Sequence, residues 1–164
     1  MFNHGASTRL VALAMTAMLA CAAGPVARRT PTTSSAPSTV LPRSGIVVTM
    51  TGLRNDHGMV LMGLYDAPSR WPQATGALMN CRAPIRGDEA VCVFEPLRAG
   101  ADYAVAGQHD ENGNGAFDTN VLGLPLEGYA FTNDARPLLA APAWDECKVR
   151  FEGGALQLRI RAQY

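Results

Sequence analysis

Leu156-Gln157-Leu158-Arg159-Ile160-Arg161 alternates apolar and polar side chains. Successive strand residues point to opposite faces, so this order sets three aliphatic groups against a core and leaves three polar ones in water. The region upstream, from Gly45 onward, obeys the same rule. Gly45-Ile46-Val47-Val48-Thr49-Met50-Thr51 is short and β-branched, and Met59 to Tyr65 is a second apolar run. Arg54-Asn55-Asp56-His57-Gly58 between them is turn chemistry, which predicts a hairpin of the two runs. Ala77 to Ile85 and Glu89 to Phe94 form a second expected pair, joined around Arg86-Gly87-Asp88. Tyr103 to Gln108, Gly128 to Thr132 and Cys147 to Phe151 complete the strands. No segment keeps a helical period, and a turn or two of helix is allowed only between Pro68 and Leu78. Short strands punctuated by Gly and Pro predict an all-β fold: an antiparallel β-sandwich of about seven strands over residues 45–164.

The first 44 residues differ in kind. After Arg9, the stretch from Leu10 to Ala23 contains only Thr16 as a clearly polar residue. Those fourteen residues rise about 21 Å as a helix, short of a bilayer core of about 30 Å. A basic start, a short apolar run and small residues at its end read as a signal peptide over 1–22. Met18-Leu19-Ala20-Cys21 partly matches a bacterial lipobox, which makes Cys21 the candidate lipidation site; simple cleavage nearby is the competing reading. Residues 23–44 form a linker, and Thr30 to Ser44 holds eight Ser or Thr and three Pro. Such a composition buries too little apolar surface to offset the entropy of ordering, so the segment reads as a flexible spacer behind a lipid anchor.

The chain carries 14 basic and 14 acidic residues, but the balance is uneven along it. All the acids follow residue 44, and residues 45–164 carry 10 bases against 14 acids, a net of −4. That balance argues against a nucleic-acid binder, which would show a basic excess. The expected setting is exported: the periplasm, the outer membrane as a lipoprotein, or secretion. The expected partners are the membrane, through lipid on Cys21, and an envelope protein or glycan.

Cysteine use fits an oxidising compartment. The midpoint of Cys81 and Cys92 falls between Arg86 and Gly87. A two-residue turn there sets the two cysteines opposite each other in a hairpin, close enough for a disulfide. Cys147 is then a buried free thiol, with pairing to Cys81 or Cys92 as the alternative. No spacing suits a zinc site or a CxxC redox pair.

One stretch carries chemistry: His109-Asp110-Glu111-Asn112-Gly113-Asn114-Gly115-Ala116-Phe117-Asp118-Thr119-Asn120. Asp110, Asn112, Asn114, Gly115 and Asp118 match positions one, three, five, six and nine of a calcium loop, with the Ala116 carbonyl at seven. Hard Ca²⁺ takes six to eight oxygens, and alternate residues of a tight loop can aim theirs at one centre. Position twelve, where a bidentate Glu belongs, is Val121, so a further acid is needed and Glu127 is the candidate. Two loop carboxylates imply weak affinity, on the order of 10⁻⁴–10⁻³ M. A metal-free polar turn cluster accounts for the same residues, since Asn and Gly suit left-handed backbone.

A resemblance rests on these and other residues. Leu97 to Gly100 with Tyr103-Ala104-Val105, the His109-to-Gly115 run, Asp118-Thr119-Asn120, Leu122-Gly123, Pro125, Glu127-Gly128-Tyr129 and Phe131-Thr132-Asn133 resemble the exported bacterial family called domain of unknown function 2141. Thr51-Gly52-Leu53-Arg54-Asn55 with Gly58 resembles its first hairpin, and Ala67 to Trp71 its next segment. The resemblance spans roughly residues 45–164 and implies an exported sandwich of Ig-like or transthyretin-like appearance, without an established activity. The family's Leu-x-x-Gly-x-Tyr corner is one residue longer here, from Leu97 to Tyr103.

Catalytic readings are thin. After residue 44 the only serine is Ser69, in a Pro-rich loop, and only His57 and His109 can serve as a base. The expected function is a non-catalytic binding or structural module of the cell envelope with a calcium-binding loop at 110–118. A metal-assisted periplasmic hydrolase using His109, Asp110 and Glu127 is the alternative. Gly123 to Tyr129 is the expected recognition surface. Trp71, Tyr129 and Phe131 either form a sugar-stacking face or close one end of the sandwich.

Overall fold

The computed structural model describes residues 44–136 and 140–164. The signal peptide expected at 1–22, the candidate lipidation site Cys21 and the linker expected at 23–44, apart from Ser44, lie outside the described residues. Eight strands follow one another among the described residues. They are β1 (Gly45–Thr51), β2 (Met59–Tyr65), β3 (Met79–Ala83), β4 (Glu89–Phe94), β5 (Ala101–Asp110), β6 (Gly128–Phe131), β7 (Val149–Phe151) and β8 (Ala155–Arg161). One sheet has the order β4-β1-β8 and the other β3-β2-β5-β6, with β7 pairing the first residues of β5.

The alternation read from β8 sets the core. Ile46 lies between Phe94 and Leu156, Val48 between Cys92 and Leu158, and Met50 between Ala90 and Ile160. Val60, Met62, Leu64, Tyr103 and Val105 join them from the second sheet in one buried cluster. Burying each such aliphatic side chain stabilises by about 1.5–3 kcal/mol, so this interior, and not local propensity, holds the two sheets together.

Three expectations need correction. First, β1 and β2 are not a hairpin: β1 pairs with β4 and β8, and β2 pairs with β3 and β5. Both strands must bury their apolar faces, and they do so against each other across the core. The segment from Gly52 to Gly58 crosses the sandwich end, tied down where the Leu53 N–H donates to the Asp88 carbonyl at 3.2 Å. Secondly, the sheets are not wholly antiparallel, because β8 runs parallel to β1. Thirdly, helix is not confined to 68–78. A 3₁₀ turn at Ala74–Gly76 falls there, but a second lies at Thr132–Asp134 and a short helix, α1, at Trp144–Cys147.

The Cys81–Cys92 disulfide is present, with the Cα atoms 6.0 Å apart. Its route differs from the expected one. Arg86 and Glu89 flank the turn, the Arg86 N–H donating to the Glu89 carbonyl at 2.8 Å, which leaves the cysteines out of register with that turn. Pro84 has no N–H with which to continue the ladder. The strands separate there, and the bond joins the two sheets across the core instead of two partners in one hairpin. Closing this short loop contributes about 2–3 kcal/mol. Cys147 is free and buried, and burial, with the Glu146 charge beside it, pushes its thiol pKa up to about 11. The thiol therefore stays protonated near neutral pH and packs as a small apolar group.

The longer corner before Tyr103 still closes. The Tyr103 hydroxyl accepts the Arg98 N–H at 3.1 Å and donates to the Arg98 carbonyl at 3.2 Å. β5 is thereby fixed at its start, and it delivers His109 and Asp110 at its far end.

Candidate functional site

At the end of β5 two adjacent side chains turn to opposite sides. His109 is fully buried. Its Nε2–H donates to the His57 carbonyl at 2.9 Å, which leaves Nδ1 to accept the Tyr164 hydroxyl proton at 2.8 Å. The Tyr164 oxygen accepts the Arg54 N–H at 3.0 Å, and burial raises the pKa of its hydroxyl. The Arg54 guanidinium lies 4.4 Å from the centre of the Tyr164 ring and 2.6 Å from Glu111 Oε1. Asn55 Nδ2 donates to Glu111 Oε2 at 2.7 Å. Burial acts to raise the Glu111 pKa, but the hydrogen bonds from Asn55 and Arg54 and the Arg54 charge outweigh it, and the carboxyl sits below its ordinary range.

Asp110 is 1% exposed and lies beneath the loop that follows it. Its Oδ1 accepts the N–H groups of Gly113 at 2.8 Å and Asn114 at 3.1 Å, and its Oδ2 accepts that of Gly115 at 2.9 Å. Glu127, 4% exposed, braces the loop from its other end. Its Oε1 accepts the Glu111 N–H at 3.1 Å, and its Oε2 accepts Gln108 Nε2 at 3.1 Å and the Asp118 N–H at 3.3 Å. Backbone N–H groups thus compensate two carboxylates that would otherwise be costly to bury. A glycine is needed nearby. Gly58 has φ +66°, and a Cβ there would lie 1.8 Å from the Asp110 carbonyl oxygen.

The remaining predicted ligands meet at the loop surface. Asn112 Nδ2 and Asn114 Nδ2 donate to the same Asp118 oxygen, at 2.6 and 2.9 Å. Their own side-chain oxygens accept the N–H groups of Asn114 at 2.9 Å and Ala116 at 2.7 Å, closing two Asx turns. The Ala116 carbonyl accepts Gln108 Nε2. The structure therefore gathers Asn112, Asn114 and Asp118 at one point, while Asp110, Ala116 and Glu127 hold the loop from below. No group of three His, Cys, Asp or Glu able to hold a metal occurs among the described residues. His109, Asp110 and Glu127 share no hydrogen-bond partner, and none of them hydrogen-bonds another.

Beyond Asp118 a tight turn is fixed by Asn120, whose side-chain oxygen accepts the N–H groups of Leu122 at 2.9 Å and Leu124 at 3.0 Å. Val121, Leu122, Leu124 and Leu126 stand exposed on it. Trp71 is buried against Tyr65, Phe131 and Trp144, and its Nε1–H donates to the Pro142 carbonyl at 2.9 Å. It closes the sandwich, whereas Tyr129 and Phe131 are only half-buried. The reading of the sequence missed Arg54, Asn55, Glu111 and Tyr164 as parts of this end. Gly58 within the turn was the one signal that its backbone lies against another strand.

Fold and loop together define a β-sandwich domain with a carboxylate-braced Asn/Gly loop at one end. The family model described as an uncharacterized protein conserved in bacteria (DUF2141) matches residues 48–159, more than half of the chain, and the chain belongs to that family. No curated protein and no solved structure matches it.

Proposed function

We propose that this protein is an exported, lipid-anchored, non-catalytic binding module of the bacterial cell envelope, with a loop at 110–118 that takes calcium weakly. In this reading Cys21 carries the lipid, residues 23–44 are the spacer, and the loop end of the sandwich presents the recognition surface. One observation carries it: the carboxylates of Asp110 and Glu127 are buried and turned onto backbone N–H groups. Carboxylates so engaged make a rigid platform of a long polar loop. A hydrolase would need them, with His109, beside an open cleft, and both nitrogens of that ring already have partners. No helix among the described residues is long and apolar enough to cross a membrane.

The calcium part rests on the meeting of Asn112, Asn114 and Asp118. At that point the two amide nitrogens stand beside the carboxylate where a cation would gain most. For Ca²⁺ to enter, both amides must turn their oxygens to it and give up two Asx-turn bonds. That cost fits a Kd on the order of 10⁻³ M. It also means that the loop closes without an ion. Calcium at about ten times that Kd stabilises by about 1.4 kcal/mol, which raises Tm by about 5 °C. Melts of the purified protein in calcium and in chelator test this; identical curves remove the ion from the account. Absence of labelled fatty acid on the wild-type protein in cells would remove the anchor, and label persisting in Cys21→Ser would remove Cys21 as its site.

A further inference from the structure

The outer face of the five-stranded sheet carries a groove of about 400 Å³. The strand register explains it. Asn80, Gly63, Ala106 and Phe131 form one row across β3, β2, β5 and β6. Arg82, Leu61, Gln108 and Tyr129 form the next. Gly63 and Ala106 leave a low floor in the first row, between Asn80 and Arg82 on β3 and Tyr129 and Phe131 on β6. Along one wall Phe117, Tyr129 and Phe131 continue one another, with ring centres 6.2 and 6.0 Å apart. Among the described residues Arg82, on the other wall, is the one charged side chain of the lining, and no ion pair involves it. An arginine without an ion pair, in a domain of net charge −4, gives the groove a positive group that attracts an anion.

We infer that this groove binds an acidic glycan, laying sugar rings along Tyr129 and Phe131 and pairing a uronate carboxylate with Arg82. Sugar rings present C–H groups of slight positive charge, which suit the negative faces of aromatic rings. Their hydroxyls suit amides such as Asn80, and a guanidinium binds a carboxylate through two parallel hydrogen bonds. A peptide is the poorer fit. It would pair with a strand edge, whereas this groove lies across the face of the sheet, where the backbone groups of the middle strands β2 and β5 are already used in the ladders. The inference rests on the reading of the domain as a binding module and does not depend on calcium.

Calorimetric titration of the full protein tests it, with oligogalacturonate and oligomannuronate hexamers, neutral cellohexaose and hexaglutamate as probes. At least one uronate hexamer binds, and cellohexaose and hexaglutamate bind at least tenfold more weakly. Arg82→Ala and Tyr129→Ala each weaken the uronate at least tenfold, while Arg86→Ala, in the exposed β3–β4 turn, does not. Melting curves confirm that each variant is folded, and Arg82→Glu repeats the charge test should Arg82→Ala fail to fold. Equal binding of cellohexaose or hexaglutamate overturns the inference, as does unaltered uronate binding by folded Arg82 variants or no uronate binding at all. Calcium-dependent melting alongside absent glycan binding would leave the proposed module standing and remove only this ligand.

Discussion

The five-stranded sheet is closed by rings at one end and by charges at the other. Near Tyr65 and Ala104, Trp71 packs edge-on against Tyr65, Phe131 and Trp144, with centres 5.1, 5.7 and 6.0 Å apart. Near Met59 and Asp110, closure falls to His109, Tyr164, Arg54, Glu111, Asp110 and Glu127, tied by directional hydrogen bonds. Apolar contact has no fixed direction, so a ring lost from the first end is partly replaced by neighbours that relax. A partner lost from the second leaves a buried N–H or oxygen unsatisfied, and relaxation supplies no substitute. The first end is therefore tolerant of shape and the second brittle to chemistry. A loop tied by directional hydrogen bonds is what a fixed binding rim requires.

Substitutions can break that contrast or sharpen it. The largest effect belongs to Gly58→Ala, which combines a left-handed backbone with a methyl group 1.8 Å from the Asp110 carbonyl oxygen. Urea unfolding is expected to show a loss of about 4–5 kcal/mol, among the largest single-site effects. At the other end Trp71→Ala costs about 3–5 kcal/mol in the same assay, whereas Phe131→Leu, which refills the space with no polar atom at stake, costs about 1 kcal/mol. Asp110→Asn preserves shape yet costs about 2 kcal/mol, since an amide turns an N–H toward donors that need an acceptor. Equal losses in Phe131→Leu and Asp110→Asn would erase the distinction between the ends.

The smaller effect is one of pH. The folded Glu111 carboxyl has its pKa held below the unfolded value by Asn55 and Arg54, against burial. Its contribution is complete above the ordinary glutamate range and is lost as pH falls through the depressed folded value. Wild-type Tm should therefore fall on acidification from about pH 5 downward, and Glu111→Gln should flatten part of that fall. A variant as acid-sensitive as the wild type would assign the fall to other carboxylates.

Much of the fold was legible because strand faces follow from alternation: Leu156, Leu158 and Ile160 announce their side without a partner being known. Pairing was less legible. The arithmetic of Cys81 and Cys92 assumed that neighbours in sequence share a sheet, whereas Pro84 and the demands of the core separate them. β1 and β2 were misassigned for the same reason. At the site, the Asp110-to-Asp118 spacing disclosed a loop with inward-turning oxygens, but not which oxygens face N–H groups. That depends on backbone directions set by Gly113 and Gly115, at φ +74° and +75°. Tyr164 and Arg54 carry no local pattern at all, and the groove exists only once Gly63 is known to lie beside Ala106.

Amide hydrogen exchange of the protein without calcium tests the scaffold most directly. The N–H groups of Glu111, Gly113, Asn114, Gly115 and Asp118 all point at the two buried carboxylates. Their exchange is expected to be slowed well beyond that of an open loop, with protection falling at 113–115 in Asp110→Asn and at 111 and 118 in Glu127→Gln. Exchange at open-chain rates in the wild-type protein would contradict the account.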